Sequence, residues 1–360
     1  MPMQTELLNL ETARERAVPL CPVFGQCGGC AYQDLPYEEE LRLKESRLKI
    51  LFRERLKIAD SIFETIVASP RPYHYRHRLD VGLYRQRQGG NRMGFRALGN
   101  HATIPIESCA IARPEISDFL AVLKPLAFEK MPPHYRTANL VIRSGDDGRV
   151  FWGGIGRHSL RMREEDYLFT EVSGKKIFYS LETFFQANLS ILPVLIKRLR
   201  SFEFFTPASV LLDLYAGVGL FGFCLEDLVA KTVMIEECPA SVRLARHNLA
   251  HHHLDGRLEI LQGRVEDRLG PILSSLPDGP KVAILDPPRK GLKPEVIEVL
   301  AQAPLGTLLY LSCSPLSLVR DLEGFLAKGW RIESVLPYDF FPKTEHLETL
   351  VVLRPRHDRA

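Results

Sequence analysis

Beyond residue 180 the hydrophobic positions gather into short solid runs, each followed by a stretch with helical spacing. Val210 to Tyr215 is such a run; it carries Asp213, and Ala216-Gly217-Val218-Gly219 leads from it into a helix. Thr232 to Ile235 is a second, closed by Glu236 and followed by helical spacing from Pro239 to His251. Leu258–Leu261, Val282–Leu285, Leu308–Leu311, Ile332–Val335 and Leu350–Leu353 complete the series. Solid apolar runs of this length read as strands buried on both faces, and their alternation with helices predicts a parallel, doubly wound α/β sheet. A further helix is expected from Thr183 to about Phe202, in which Gln186 and Asn188 read equally well as caps or surface amides.

Before residue 180 the pattern is different. Pro36 to Ile58 places Leu41, Leu48, Leu51, Phe52 and Leu56 near one helical face, predicting an amphipathic helix that packs on its own domain. Short alternating segments follow: Arg78–Tyr84, Arg92–Phe95, Ala138–Arg143, Val150–Gly153 and Lys176–Ser180, with turns such as Asp146-Asp147-Gly148 between them. These predict a β-rich domain with one helix near Glu115 to Phe128. A chain of 360 residues exceeds a typical single core, so two domains are expected, 1–180 and 181–360.

Composition adds exclusions. With 45% hydrophobic and 25% charged residues the chain is neither fibrous nor disordered in type. No apolar run is long enough to cross a bilayer, and Met1 to Leu20 has no apolar segment of the secretory kind. A cytoplasmic location, no membrane partner and a monomeric state are the expectations. The net charge of +3 is unevenly spread: residues 1–180 carry net +5 and the remainder net −2. Arg71 to His101 holds seven arginines and one acid, interleaved with Tyr73, Tyr75, Tyr84 and Phe95. Guanidinium groups beside aromatic rings favour a phosphate-rich, base-bearing partner, which is RNA or DNA.

The strand ends carry the chemistry. Thr307 to Leu311 delivers Ser312-Cys313-Ser314-Pro315, and Pro315 suits the first turn of a helix running through Leu326. Val282 to Leu285 delivers Asp286-Pro287-Pro288-Arg289, and His346-Leu347-Glu348-Thr349 leads into the last strand. If that last strand is antiparallel to its neighbours, Cys313, Asp286 and Glu348 share one edge, giving a nucleophile with a candidate proton acceptor. The Gly217-Val218-Gly219 turn with Glu236 ending the next strand suits a ribose-bearing ligand. The six-residue dinucleotide fingerprint and the P-loop are absent, so a nucleoside without pyrophosphate is expected, pointing to S-adenosylmethionine.

Seven cysteines in a chain of this kind argue against a disulfide framework. Cys21, Cys27 and Cys30 form a tight triplet around Gly28-Gly29, and Cys109 is the nearby candidate for a fourth thiolate. Four thiolates suit zinc or an iron–sulfur cluster. One Cys-x2-Cys hairpin with two single cysteines departs from the paired hairpins of structural zinc, which tilts the reading to iron–sulfur. His251-His252-His253 reads as a helix end, and Cys224 and Cys238 as packing residues.

Taken together, these motifs resemble the uracil-C5 RNA methyltransferases, from Cys21 to about Leu353. The resemblance is carried by the cysteine triplet with Cys109, by Phe184-Phe185-Gln186-Ala187-Asn188 and by Asp213-Leu214-Tyr215-Ala216-Gly217-Val218-Gly219. It continues in Asp286-Pro287-Pro288-Arg289-Lys290-Gly291, Ser312-Cys313-Ser314-Pro315 and His346-Leu347-Glu348-Thr349. It implies a C-terminal Rossmann-like methyltransferase sheet, mostly parallel with an antiparallel last strand, behind an N-terminal β-rich iron–sulfur, RNA-binding domain.

By the same resemblance a 4Fe–4S cluster sits on Cys21, Cys27, Cys30 and Cys109, Cys313 is the nucleophile and Glu348 the base. Gln186, Tyr215, Glu236 and Asp286 contact S-adenosylmethionine. The shorter members, without the N-terminal TRAM barrel, are the closer likeness. Ribosomal RNA is favoured over the transfer-RNA T-loop as substrate. Leu220 and Gly263-Arg264 depart from the family pattern near the adenosine site. The rivals are amino-group methylation, against which Arg289 stands where an aromatic is expected, and an RNA-binding or assembly protein without catalysis.

Overall fold

A computed structural model describes residues 16–85, 90–99, 102–156, 158–254 and 256–356. Arg87, one of the seven clustered arginines, lies outside them. Among the described residues the first helix, Tyr37–Leu56, is followed by strands β1 (Arg78–Tyr84), β2 (Arg92–Arg96) and β3 (Thr103–Pro105). Then come the helix Pro114–Lys130 and strands β4 (Thr137–Ser144) and β5 (Val150–Gly153). These five strands form one antiparallel sheet in the order β3-β2-β1-β4-β5. Its alternating pattern is paid out as one face packed under the helix Pro114–Lys130, through Leu79, Val81, Leu140, Ile116 and Leu120.

A hairpin of β6 (Leu168–Val172) and β7 (Lys175–Tyr179) comes next, and then the expected alternation. Strands β8 (Val210–Leu214), β9 (Lys231–Glu236), β10 (Leu258–Gln262), β11 (Lys281–Leu285), β12 (Thr307–Ser312), β13 (Trp330–Tyr338) and β14 (Glu348–Pro355) build a seven-stranded sheet. The order is β10-β9-β8-β11-β12-β14-β13. All pairs from β10 to β12 are parallel, and β14 runs antiparallel to both β12 and β13. The fold class is as the pattern implies, and the antiparallel last strand is as the resemblance implies. Strand order reverses between β8 and β11, so the crevice beyond their carboxyl ends is the topological switch point where such sheets bind ligands.

Three local expectations are corrected. Thr183 to Ser190 is not helical; the helix is Leu192–Arg200. Asn188 is buried, donates to Ser69 Oγ at 2.9 Å and accepts from Ser190 N, so its side chain is spent on tertiary contacts that fix an irregular backbone. Neither a cap nor a surface amide describes it. The helix Tyr37–Leu56 packs across the chain rather than on its own domain: Leu48 and Phe52 share a core with Leu318, Leu322 and Phe325 of the helix Pro315–Ala327. The β6–β7 hairpin likewise buries Leu168, Ile177 and Tyr179 against Leu195, Leu211 and Met234.

Candidate active site

Cys313 is placed by two local devices. Strand β12 is buried along its whole length, and Ser314 caps the helix Pro315–Ala327, its Oγ accepting from Ser317 N at 3.4 Å. Proline at the first helical position suits the turn. The chain therefore leaves the sheet at Cys313, half-buried at the crevice. On the adjacent antiparallel strand Ser312 pairs with Thr349, the last pair of the ladder, so Cys313 and Glu348, the residues next to that pair, lie at the same edge. Asp286 follows β11, one strand over, its N–H reaching Leu214 O of β8. The three residues expected at one edge are brought there.

Gln186 arrives from the irregular segment and donates from Nε2 to Asp286 Oδ2 at 2.7 Å. Tyr215 holds a left-handed backbone, φ 63°, at the start of the glycine turn. Gly217 also lies in that region, φ 57°, and a Cβ there would meet no atom within 4 Å, so the loop opens onto free space. Gly219 is constrained instead: a Cβ would sit 2.4 Å from the Phe223 ring. Glu236 accepts from Gly217 N at 2.8 Å and from Cys238 N at 2.7 Å, so its carboxylate braces the turn. Asp213 Oδ2 accepts from Gly222 N at 2.8 Å, while its Oδ1 is buried without a partner.

The electrostatics follow from this crowding of acids. Burial, then the proximity of Glu236, pushes the Asp213 carboxyl up to about 7, against the bond from Gly222. Asp286 is pushed up to about 7 by burial and by Asp213, with Gln186 opposing. Glu348, with Oε1 buried and unpartnered, is raised well above the usual range by burial and by Asp286. The Cys313 thiol is pushed up to about 11 by burial, Glu348 and Asp286. The Arg289 guanidinium opposes the rise at both Cys313 and Glu348. A cleft lined by acids that suppress one another's ionisation is completed by a positive charge. A sulfonium with an amino-acid ammonium and a ribose diol suits it, so the residues fit S-adenosylmethionine.

Arg289 and Asp213 belong to this constellation beside the expected residues. Both stand in motifs of the sequence; the signal for each is a charged group next to a strand end that already carries a catalytic candidate. The departures at Leu220 and Arg264 take defined places. Leu220 is buried in the core, and Arg264 is exposed and paired with Glu266 Oε1 at 2.6 Å.

The cysteine group lies elsewhere. Cys21, Cys27, Cys30 and Cys109 line one cavity of about 420 Å³, with Gly28 and Gly29 in its wall. Among the described residues no three His, Cys, Asp or Glu side chains converge tightly enough to grip a single metal ion. The thiols still sense one another. Burial raises Cys27, Cys30 (to about 12) and Cys109, and neighbouring cysteines add to the rise at each. The four thiols thus share one cavity without closing on a single point.

The basic segment is divided in its use. Arg71, Arg92 and Arg96 are exposed. Arg85 donates to Phe128 O, Met131 O and Pro132 O, and Arg78 pairs with Asp80 at 2.8 Å. Tyr75 is buried with its hydroxyl on Pro342 O at 3.0 Å, so it packs and does not stack on a base. Tyr73, Tyr84 and Phe95 are half-buried, and Phe184, beside Gln186, is 64% exposed. No described helix is long and apolar enough to cross a membrane.

Comparison with known proteins agrees with the motifs. Residues 279–356 match the model of the tRNA (uracil-5-)-methyltransferase family. An uncharacterized RNA methyltransferase of Clostridium tetani is 28% identical over 93% of this chain and 83% of its own length. The 23S rRNA (uracil(747)-C(5))-methyltransferase of Pyrococcus abyssi is 27% identical over 93% of this chain and 85% of its own. Among solved structures, the Pyrococcus abyssi tRNA (uracil-54, C5)-methyltransferase in complex with S-adenosyl-L-homocysteine superposes with a TM-score of 0.69 at 20% identity, covering 94% of this chain and 88% of that one. The chain is thus related along nearly its whole length to RNA methyltransferases, and its resemblance to the uracil-C5 family holds.

Proposed function

We propose that this protein methylates C5 of a uridine in RNA, with 23S ribosomal RNA the favoured substrate, by a cysteine-addition mechanism. The observation that carries the reading is that the β12–β14 ladder ends at Ser312–Thr349, bringing Cys313 and Glu348 to the same strand edge, near enough for Glu348 to act on the thiol, with Glu348 Oε1 buried and unpartnered. Uracil C5 is a weak nucleophile on its own. The Cys313 thiolate adds to C6, its electron pair forming the S–C bond while the C5=C6 electrons move toward O4, and C5 becomes nucleophilic. S-adenosylmethionine, when bound, supplies the electrophilic methyl group. Gln186, Tyr215, Glu236 and Asp286 hold it at the switch point.

Glu348 then removes the C5 proton; the C–H electrons rebuild C5=C6 and Cys313 leaves as thiolate. A carboxylate whose basicity is raised by burial takes up a proton more readily than an ordinary glutamate, which suits this step. Arg289 steadies the thiolate before addition and after release. The target uridine must be unpaired or flipped out to reach Cys313. Residues before 181, with Arg71, Arg92 and Arg96 exposed, carry the RNA contact.

Cys21, Cys27, Cys30 and Cys109 are the proposed ligands of a 4Fe–4S cluster, which ties the 21–30 segment to the 109 loop and has no redox part in this scheme. Anaerobic purification followed by iron and sulfide determination tests it: about four of each per chain is expected, and zinc alone overturns it.

The test of function is a denaturing gel of wild type, Glu348→Gln and Cys313→Ala, incubated with S-adenosylmethionine and RNA lacking 5-methyluridine. Glu348→Gln should accumulate a slow-migrating protein–RNA adduct that Cys313→Ala cannot form, and sequencing the adduct names the uridine. A T-loop uridine in that sequence replaces ribosomal RNA with transfer RNA. Methyl transfer by Cys313→Ala overturns the mechanism in favour of amino-group methylation; neither adduct nor transfer by any form favours a non-catalytic RNA-binding protein.

A further inference from the structure

Glu348 opens β14, and the nine residues before it, Asp339 to Leu347, form the connection from β13. Tyr338 pairs with Glu348 across that hairpin, so the geometry of the connection sets where the carboxyl begins. The connection is unusually constrained at Lys343. This residue has a left-handed backbone, φ 67°, which a lysine adopts only when its surroundings impose it, and it is 3% exposed. Its N–H donates to Glu40 Oε1 at 2.6 Å, and its ammonium lies 3.2 Å from Glu40 Oε2 and donates to Leu35 O. Lys44 joins Glu40, at 2.7 Å, to Asp339 at the other end of the connection, at 2.8 Å.

The same connection is fastened to the cysteine-bearing segment. Lys343 O accepts from Ala31 N at 2.8 Å and Tyr32 N at 3.1 Å, and Ala31 directly follows Cys30. Beyond Lys343, Thr344 Oγ1 donates to Phe341 O at 2.8 Å and accepts from His346 N at 3.2 Å, two residues short of Glu348. Two groups of hydrogen bonds, one joining Lys343 to the residues that follow Cys30 and one tying Thr344 to Phe341 and His346, therefore fix the connection between the cysteine segment and the start of β14.

We infer that Lys343, held by Glu40, is a positioning residue for Glu348, and that it references the proton-removing carboxyl to the cysteine hairpin. This rests on the reading of Glu348 as the base. It predicts a selective defect. Addition of Cys313 to C6 and methyl transfer need no contact from this connection, whereas proton removal needs Glu348 at a defined place over C5. Loosening the connection should slow release of Cys313 more than its addition, so that covalent protein–RNA adduct builds up.

The decisive variant is the charge-balanced pair Glu40→Gln with Lys343→Met, which keeps Lys44 and Asp339 matched. Thr344→Val is a second variant that leaves every buried charge in place. Rapid-quench gels with RNA and S-adenosylmethionine give the rates of adduct formation and decay separately. For the pair, decay should slow at least tenfold while formation changes less than about threefold; Thr344→Val should shift the same ratio by about threefold. Cys30→Ser should shift it in the same direction, read from the gel and not from turnover alone. If Glu348→Gln traps adduct but these variants lose both rates in proportion, or neither, Lys343 is only structural and the inference falls. If Glu348→Gln traps no adduct, the assignment of the base fails, and the inference fails with it for that separate reason.

Discussion

Two of this protein's groups of buried charge are built on opposite terms. Glu40, Lys44, Asp339 and Lys343 are two acids and two bases, all nearly inaccessible and joined by contacts of 2.7 to 3.2 Å. Tyr37 adds a hydroxyl to Asp339 at 2.9 Å. Around the crevice, Asp213, Asp286 and Glu348 crowd with Cys313, and the nearest opposing charge is Arg289, exposed at the rim. The first group balances its charges, Glu40 Oε2 facing the Lys343 ammonium at 3.2 Å though without a hydrogen bond. The second leaves Asp213 Oδ1 and Glu348 Oε1 with no partner, an arrangement a fold keeps where a ligand supplies what is lacking.

The largest expected effect comes from breaking the balanced group. Lys44→Met leaves two buried acids to one base, and removing one partner of a buried ion network costs about 3–5 kcal/mol. Urea unfolding monitored by circular dichroism should show a loss of that order. A loss below about 1 kcal/mol would mean that water reaches the group and that the contrast with the crevice is false.

The crevice should respond with the opposite sign. Asp213 is held near 7 in the folded protein, against 3.8 for an ordinary aspartate, so the folded state binds this proton more tightly than the unfolded chain does. Its contribution to stability is therefore fully present below about pH 4 and is lost as pH rises through 7. Three units correspond to at most about 4 kcal/mol. Asp213→Asn should flatten the fall in melting temperature of the ligand-free protein between pH 5 and 8, and raise its stability at pH 8. A steeper fall in the variant than in wild type would show that Asp213 is stabilising as a carboxylate and that the crevice is not charge-deficient.

The two groups were not equally visible in the sequence. Strand ends could be placed because a run such as Val282 to Leu285 is solid apolar and stops at an acid and two prolines. Once Glu348 was put at the head of an antiparallel strand, its meeting with Cys313 followed from topology. The antiparallel direction of that strand is as the resemblance implies; the order of the strands in the sheet was not legible in the sequence. The balanced group was invisible, because Glu40 and Lys44 sit in a helix whose charges read as a solvated face, and Asp339 and Lys343 lie 295 or more residues away from them. Helical spacing found Leu48 and Phe52 of the buried face of Tyr37–Leu56, but not Glu40, Leu43, Lys44 or Ile50, nor what the face is buried against. Arg85 and Tyr75 teach the same limit: residue type suggested RNA, and the partners are the backbone carbonyls of Pro132 and Pro342. Thr183 to Ser190 failed as a helix because Gln186 and Asn188 bond to distant residues, which local propensity does not register.

The smallest effect is the sharpest test of what completes the crevice. The Cys313 thiol, at about 11 without ligand, is almost wholly protonated at pH 7.5, and an attacking thiolate needs that value lowered. Glu348 and Asp286 are the charges that raise it after burial, so a cation held among them acts on Cys313 in the favourable direction. S-adenosylmethionine carries a sulfonium; S-adenosylhomocysteine has the same adenosine and amino-acid parts with a neutral thioether. The pH profile of Cys313 alkylation by iodoacetamide, read by peptide mass spectrometry, should move to lower pH with the sulfonium form. A shift of about one unit is expected for a charge at this distance, and little shift with the thioether. Arg289→Ala should move the ligand-free profile the other way, since it removes the one cation that opposes the rise. Equal shifts with both ligands would show that dehydration of the site, and not the missing positive charge, governs the nucleophile.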